Sequence, residues 1–344
     1  MSAFTRIWTT LKEVFRRLLR RPPTPGRYEE GSKFSWRGWL SVAPLVWPSR
    51  AFRLYLPTRW TLLRRAPLVM LIHGCKQNAQ IIVEGTRIET VADRAGLLLL
   101  LPDQKEDANP WRCWNWFDVR TAAGGGEAAI LAAQIHAVRR HYRAEQRRVV
   151  VAGISSGASI AVVLGLRFPQ FVRGVFAHCG IPAGAASSPM TALTVAATGP
   201  ETDVVAIGDN ARRLAGNDYR PVPLCVVQGE QDSVVSPRNA EALVCQYLAF
   251  NQHPAAPTRP HPALPSADEE HAETMLDGRI VTTREWRLRG VLLVRYISIA
   301  GLGHAWSGGD DRHPYNDPRP PSATELLAAF VNEIGDNPLV LGDG

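Results

Sequence analysis

The sequence lacks the features that would assign it at once to several functional classes. Charged residues are only 21% of its 344, and no stretch approaches the roughly 18 consecutive apolar residues of a membrane span. Cysteine is scarce: Cys75, Cys113, Cys179, Cys225 and Cys245 are too few and too scattered for a disulfide scaffold. No C-x-x-C pair suggests zinc, and the odd count leaves at least one thiol free. The net charge of +7 also shrinks once it is located. Seven basic side chains against Glu13 give residues 1–28 a charge of +6, so the other 316 residues carry about +1. For a domain that close to neutral no basic face is implied, which argues against nucleic acid as a partner.

What is present points to a globular chain with many turns. Apolar residues make up 45%, with 26 prolines and 28 glycines. In the first segment Phe4, Ile7, Trp8, Leu11, Val14, Phe15, Leu18 and Leu19 form one stripe of an amphipathic helix. Arginines fill its other face, and Pro22, Pro23 and Pro25 end it. Residues 1–21 could rest on a membrane or a hydrophobic polymer granule. They could equally pack on their own domain or on a partner chain. A secretory signal needs an unbroken apolar core; charges interrupt this one, so a cytoplasmic location is the expectation.

Residues 29–344 read as the globular domain, and from Arg50 short apolar β-rich runs alternate with helical stretches. That pattern predicts a mostly parallel sheet flanked by helices, an α/β fold. Strands are predicted at Phe52–Leu56, Leu68–His73, Leu97–Leu101, Val149–Ala152, Val172–His178 and Leu224–Gln228. A last hairpin pairs Ile280–Leu288 with Leu292–Ile299. Helices are predicted at Glu127–Tyr142, Ser156–Arg167, Arg238–Asn251 and Ser322–Ile334. Residues 252–274, rich in Pro, Ala and His, read as an irregular excursion, and no internal repeat is present.

The strongest motif is Gly153-Ile154-Ser155-Ser156-Gly157, set between a buried strand and a helix. Glycines allow the sharp turn that lifts a serine hydroxyl clear of the strand, as in the nucleophile elbow of an α/β-hydrolase fold. A serine needs a base, and the base needs a partner to hold its tautomer. In the chain order of that fold, Asp232 follows the strand Leu224–Gln228, and His304 follows the last strand in Gly303-His304-Ala305-Trp306. Backbone N–H groups of Cys75 and Ser156 are the predicted oxyanion donors. This chemistry requires neither metal nor organic cofactor. Trp114, Trp116 and Trp306 either wall an apolar cleft for substrate or belong to the core.

These residues resemble the polyhydroxybutyrate-depolymerase-like esterases, close to feruloyl and acetyl-xylan esterases. The resemblance rests on His73-Gly74-Cys75-Lys76-Gln77, Asn109-Pro110, Cys113-Trp114-Asn115-Trp116-Phe117 and Gly126-Glu127. It continues through Gly153–Gly157 and Gly303-His304-Ala305-Trp306-Ser307-Gly308-Gly309, and covers roughly residues 50–335. It implies hydrolysis of carboxylic esters, with Ser155, Asp232 and His304 as the triad and hydroxyalkanoate esters or oligomers as substrate. A feruloyl or acetyl-xylan ester is the alternative, and amide hydrolysis a third. A non-catalytic protein attached to granules or membranes is the rival outside the enzyme class. Lys76 stands where the family has a small polar residue. Cys75 and Cys113 fall in two motifs that should both lie near the site, so a disulfide between them is a further expectation. Such a bond favours an oxidising compartment, in tension with the cytoplasmic expectation.

Overall fold

The computed structural model describes residues 26–34, 49–58, 60–258 and 263–336. The helix expected within residues 1–21 therefore lies outside the described residues. In chain order the elements begin with β1 (Arg27–Phe34), β2 (Ser49–Leu56), β3 (Ala66–Ile72), α1 (Ala79–Thr86), α2 (Ile88–Ala95) and β4 (Leu98–Pro102). Next come α3 (Val119–Ala122), α4 (Gly126–His141), β5 (Ala144–Ile154), α5 (Ser156–Arg167) and β6 (Gly174–His178). They are followed by α6 (Pro189–Thr198), α7 (Val204–Ala215), β7 (Leu224–Gly229) and α8 (Pro237–Phe250). The last are β8 (Glu269–Thr274), β9 (Ile280–Leu288), β10 (Val291–Ile299), β11 (Trp306–Ser307), β12 (Asn316–Asp317) and α9 (Ala323–Gly335).

Ten strands form one sheet in the order β1-β2-β4-β3-β5-β6-β7-β10-β9-β8. The central run from β4 to β10 is parallel, and antiparallel pairs close both edges. Period-2 alternation sends successive side chains to opposite faces. Leu68, Met70 and Ile72 of β3 enter one core with Val149 and Val151 of β5; Val69, Leu71, Val150 and Ala152 enter the other. Helices α4, α5 and α8 supply the first core, while α1, α2 and α9 supply the second. Both faces are therefore covered, which is why these strands read as continuous apolar runs.

Two strands of this sheet depart from the sequence expectation. The strand β1 has no apolar run to announce it, and it pairs along β2 in full register. The last six residues of the excursion form β8, whose side chains are all exposed. It is an edge strand held by backbone pairing to β9, so neither face needed an apolar pattern.

Candidate active site

The parallel strands all end on one edge of the sheet, where ligands bind in open α/β folds. The loops after β3, β4, β5, β7 and β10 carry the predicted site residues to that edge.

Ser155 sits between β5 and α5 with φ 57° and ψ −123°, a conformation that few residues other than glycine adopt. The neighbouring backbone enforces it. A Cβ on Gly153 would lie 2.4 Å from the Gly157 carbonyl carbon, and one on Gly157 would lie 2.2 Å from the Ile72 carbonyl oxygen. Only glycine lets strand, turn and helix approach this closely. The N–H of Ser155 is held by the His178 carbonyl at 2.9 Å.

Asp232 and His304 are in direct contact. Asp232 Oδ2 lies 2.7 Å from His304 Nδ1; an ionised carboxylate can only accept, so Nδ1 carries the proton and Nε2 is left free as a base. The other carboxylate oxygen accepts the N–H groups of Val234 (2.9 Å) and Val235 (2.8 Å). Burial opposes the charge of Asp232. The hydrogen bond and charge of His304 outweigh it, aided by Val235 N–H and the Cys179 thiol, so the carboxyl stays below its ordinary value.

Cys75 and Cys113 are disulfide-bonded, with Cα atoms 4.2 Å apart. Around them the backbone donors are unevenly used. Gly74 N–H goes to Gln77 Oε1 (2.9 Å) and Lys76 N–H to the Trp111 carbonyl (2.7 Å). Cys75 N–H finds no partner among the described residues, and Ser156 N–H opens α5, where no intrahelical acceptor exists. Ser156 Oγ lies 3.4 Å from Cys75 Sγ, so the two predicted oxyanion donors belong to touching residues. Lys76 takes a left-handed φ of 61° in the same turn.

The segment bearing Cys113 is fixed by a buried acid. Glu127, at the start of α4, accepts Arg50 Nη2 (2.8 Å), Gln104 Nε2 (2.6 Å), Asn115 N–H (2.8 Å) and Asn115 Nδ2 (3.0 Å). Gln104 Nε2 also donates to the Cys113 carbonyl (3.0 Å). In sequence, Glu127 carried only the family resemblance; its partner Arg50 lies 77 residues away.

The three tryptophans proposed for the site resolve toward the core. Trp114, Trp116 and Trp306 are all buried. Trp114 Nε1 donates to the His73 carbonyl, and Trp306 Nε1 to Thr324 Oγ1, so each indole is satisfied internally. The accessible aromatics are two that sequence reasoning missed. Trp111 is 64% exposed, two residues before the disulfide, and Tyr315 is 37% exposed. The Tyr315 ring meets the His304 ring edge-on, with centroids 6.3 Å apart. Isolated aromatics in polar turns leave no periodic signal; the left-handed φ of 62° at Tyr315 appears only in three dimensions.

Comparison with known proteins agrees with this architecture. The family profile described as Esterase PHB depolymerase matches residues 50–260. Poly(3-hydroxyalkanoate) depolymerase C of Paucimonas lemoignei is 28% identical over 188 residues, which are 54% of this chain and 45% of that protein. Feruloyl esterase B of Neurospora crassa is 29% identical over 198 residues, 55% of this chain and 66% of that protein. The chain thus spans about half to two thirds of the length of these relatives. Among solved structures, an acetyl xylan esterase from Aspergillus awamori superposes with a TM-score of 0.62 at 19% identity. It covers 74% of this chain and 89% of its own, and shows the shared fold. With the profile covering well over half of its length, the chain belongs to the esterase PHB depolymerase family.

Proposed function

We propose that this chain is a serine carboxylic-ester hydrolase, with hydroxyalkanoate esters or their oligomers as substrate. The observation that carries the reading is the 2.7 Å bond from His304 to the buried Asp232, found in one chain with a serine held in a strained strand-to-helix turn. In the reaction, His304 Nε2 takes the Ser155 proton as Oγ attacks the ester carbonyl. The N–H groups of Cys75 and Ser156 stabilise the oxyanion while Asp232 keeps the imidazole in its tautomer. The proton passes to the departing alcohol, and water releases the acyl group by the same route.

Hydroxyalkanoate as the acyl class is supported by the family and by the Paucimonas lemoignei relative. A feruloyl or acetyl-xylan ester is the second reading, supported by the Neurospora crassa relative.

Hydrolysis of p-nitrophenyl acetate and butyrate by the wild type and by Ser155→Ala tests the chemistry. The alanine variant should stay folded and lose at least about 10³-fold in kcat. Equal activity in both proteins would remove Ser155 from the nucleophile's role. Hydroxybutyrate oligomers assayed beside feruloyl and acetyl-xylan esters then separate the two substrate classes.

A further inference from the structure

The dipeptide His178–Cys179, at the end of β6, touches the segments that carry all three triad members. The His178 carbonyl accepts the N–H of Ser155 at 2.9 Å. Its imidazole stacks on Trp306 with centroids 5.1 Å apart, and its Nε2 accepts Ser307 N–H at 3.4 Å, in the loop just past His304. The Cys179 thiol faces the Asp232–His304 pair. Its Sγ, an Asp232 carboxylate oxygen and a His304 ring nitrogen all lie within 4.8 Å of one another. Both residues are fully buried, and Cys179 holds a left-handed φ of 53° that L side chains rarely adopt.

The direction of each hydrogen bond follows from what the groups can do. A backbone N–H only donates, so His178 Nε2 is the acceptor from Ser307 and carries no proton. Burial, then the nearby charge of His304, keeps this ring neutral. Its single proton therefore sits on Nδ1, 3.2 Å from Cys179 Sγ. The sulfur accepts that proton's bond, which leaves its own S–H free to point at the nearby Asp232 carboxylate, an acceptor only. Burial pushes the thiol well above its ordinary value, so it stays a donor.

We infer that His178–Cys179 is a positioning joint for the triad. A line of contacts runs from Ser307 N–H through His178 to Cys179, whose thiol lies against Asp232, which His304 meets as well. This line fixes the carboxylate that orients the base, while the His178 carbonyl fixes the backbone of the nucleophile. The side chains of His178 and Cys179 are both fully buried, so they act through the triad and not on it from solvent. The inference rests on Ser155, Asp232 and His304 acting as an ester-hydrolysing triad.

Two substitutions in the full chain separate this role from packing. Cys179→Ala removes the donor, whereas Cys179→Ser keeps a donor and an acceptor in the same place. On p-nitrophenyl butyrate, Cys179→Ala should lower kcat about tenfold with KM changed less than about twofold. Cys179→Ser should recover most of that loss. The low-field proton resonance of the His304–Asp232 bond should weaken or move in the alanine variant and persist in the serine variant. Wild-type kcat and resonance in Cys179→Ala would overturn the joint, as would equal losses in both variants at equal melting temperature. If the alanine variant fails to fold, Cys179→Ser decides alone: a retained resonance supports the joint, and a lost one overturns it. A wild type inactive on every ester would sink the esterase reading instead, and the resonance would still judge the joint.

Discussion

Ser155 pays for its reach with backbone strain. At φ 57° and ψ −123° its Cβ is crowded, and conformations of this kind cost about 1–3 kcal/mol for residues other than glycine. Glycine removes that strain but adds chain entropy to the unfolded state, at about 0.5–1 kcal/mol. We therefore expect Ser155→Gly to unfold at a higher denaturant concentration than wild type, with a net gain of about 1 kcal/mol, while losing ester hydrolysis. A lower midpoint would show that the serine side chain contributes more to the fold than its backbone costs. At this scale the sequence was informative where local grammar is rigid. The two glycines are demanded by backbone contacts of 2.2 and 2.4 Å, so the elbow was legible from five letters. Asp232 and His304 were legible because each directly follows an apolar strand. Nothing comparable marks Tyr315, or tells a buried Trp114 from an exposed Trp111, because exposure depends on the whole fold.

Elements were legible in proportion to how much apolar surface they bury. The parallel strands and the helices α4, α5, α8 and α9 fall where predicted, although β5 starts at Ala144 rather than Val149. Five shorter or half-exposed helices, α1, α2, α3, α6 and α7, have no counterpart in the sequence expectation, nor do the edge strands β1 and β8 or the short pair β11 and β12. Polar tertiary contacts are a further blind spot, and the Glu127 cluster is the main example. Its carboxylate gathers Arg50 from β2, Gln104 from the loop after β4 and Asn115 from the disulfide-bearing segment. Glu127 and Arg50 are both buried, so removing one charge strands the other. Breaking such a pair costs about 3–5 kcal/mol, although keeping it need not stabilise more than an apolar replacement would. Glu127→Gln should therefore lose stability by that order, seen as a shifted guanidinium midpoint. Because Asn115 and Cys113 lean on the same cluster, kcat should fall with it even where the variant is folded. A variant with wild-type stability would mean that Arg50 finds another partner or water.

Across the whole molecule, two imidazoles are sealed beneath the edge of the sheet where the parallel strands end, and they make stability depend on pH. His73 follows β3 and His178 ends β6; both are fully buried. Burial lowers His73 to about 4, against the pull of the Gly74 carbonyl and Asp103. Burial and the charge of His304 lower His178 to about 3. In the unfolded chain both would titrate near 6.5. Between 6.5 and these lower values the unfolded chain binds more protons than the folded one, so stability rises with pH across that window. The contribution is complete above 6.5 and is lost progressively as pH falls toward 4 and then 3. Each ring contributes a slope of at most about 1.4 kcal/mol per pH unit. Asp232, held low in the fold, adds a loss of the same sign, but only once the pH falls below its ordinary value of 3.8. Acid destabilisation should thus begin well above the carboxylate range. Guanidinium midpoints measured from pH 7.5 to 4.5 should fall steadily below about 6.5. A flat profile to pH 4.5 would mean that the two rings gain their protons without unfolding, which their hydrogen bonds forbid. His73 Nε2 accepts Gln104 N–H and His178 Nε2 accepts Ser307 N–H, and a protonated nitrogen can accept neither.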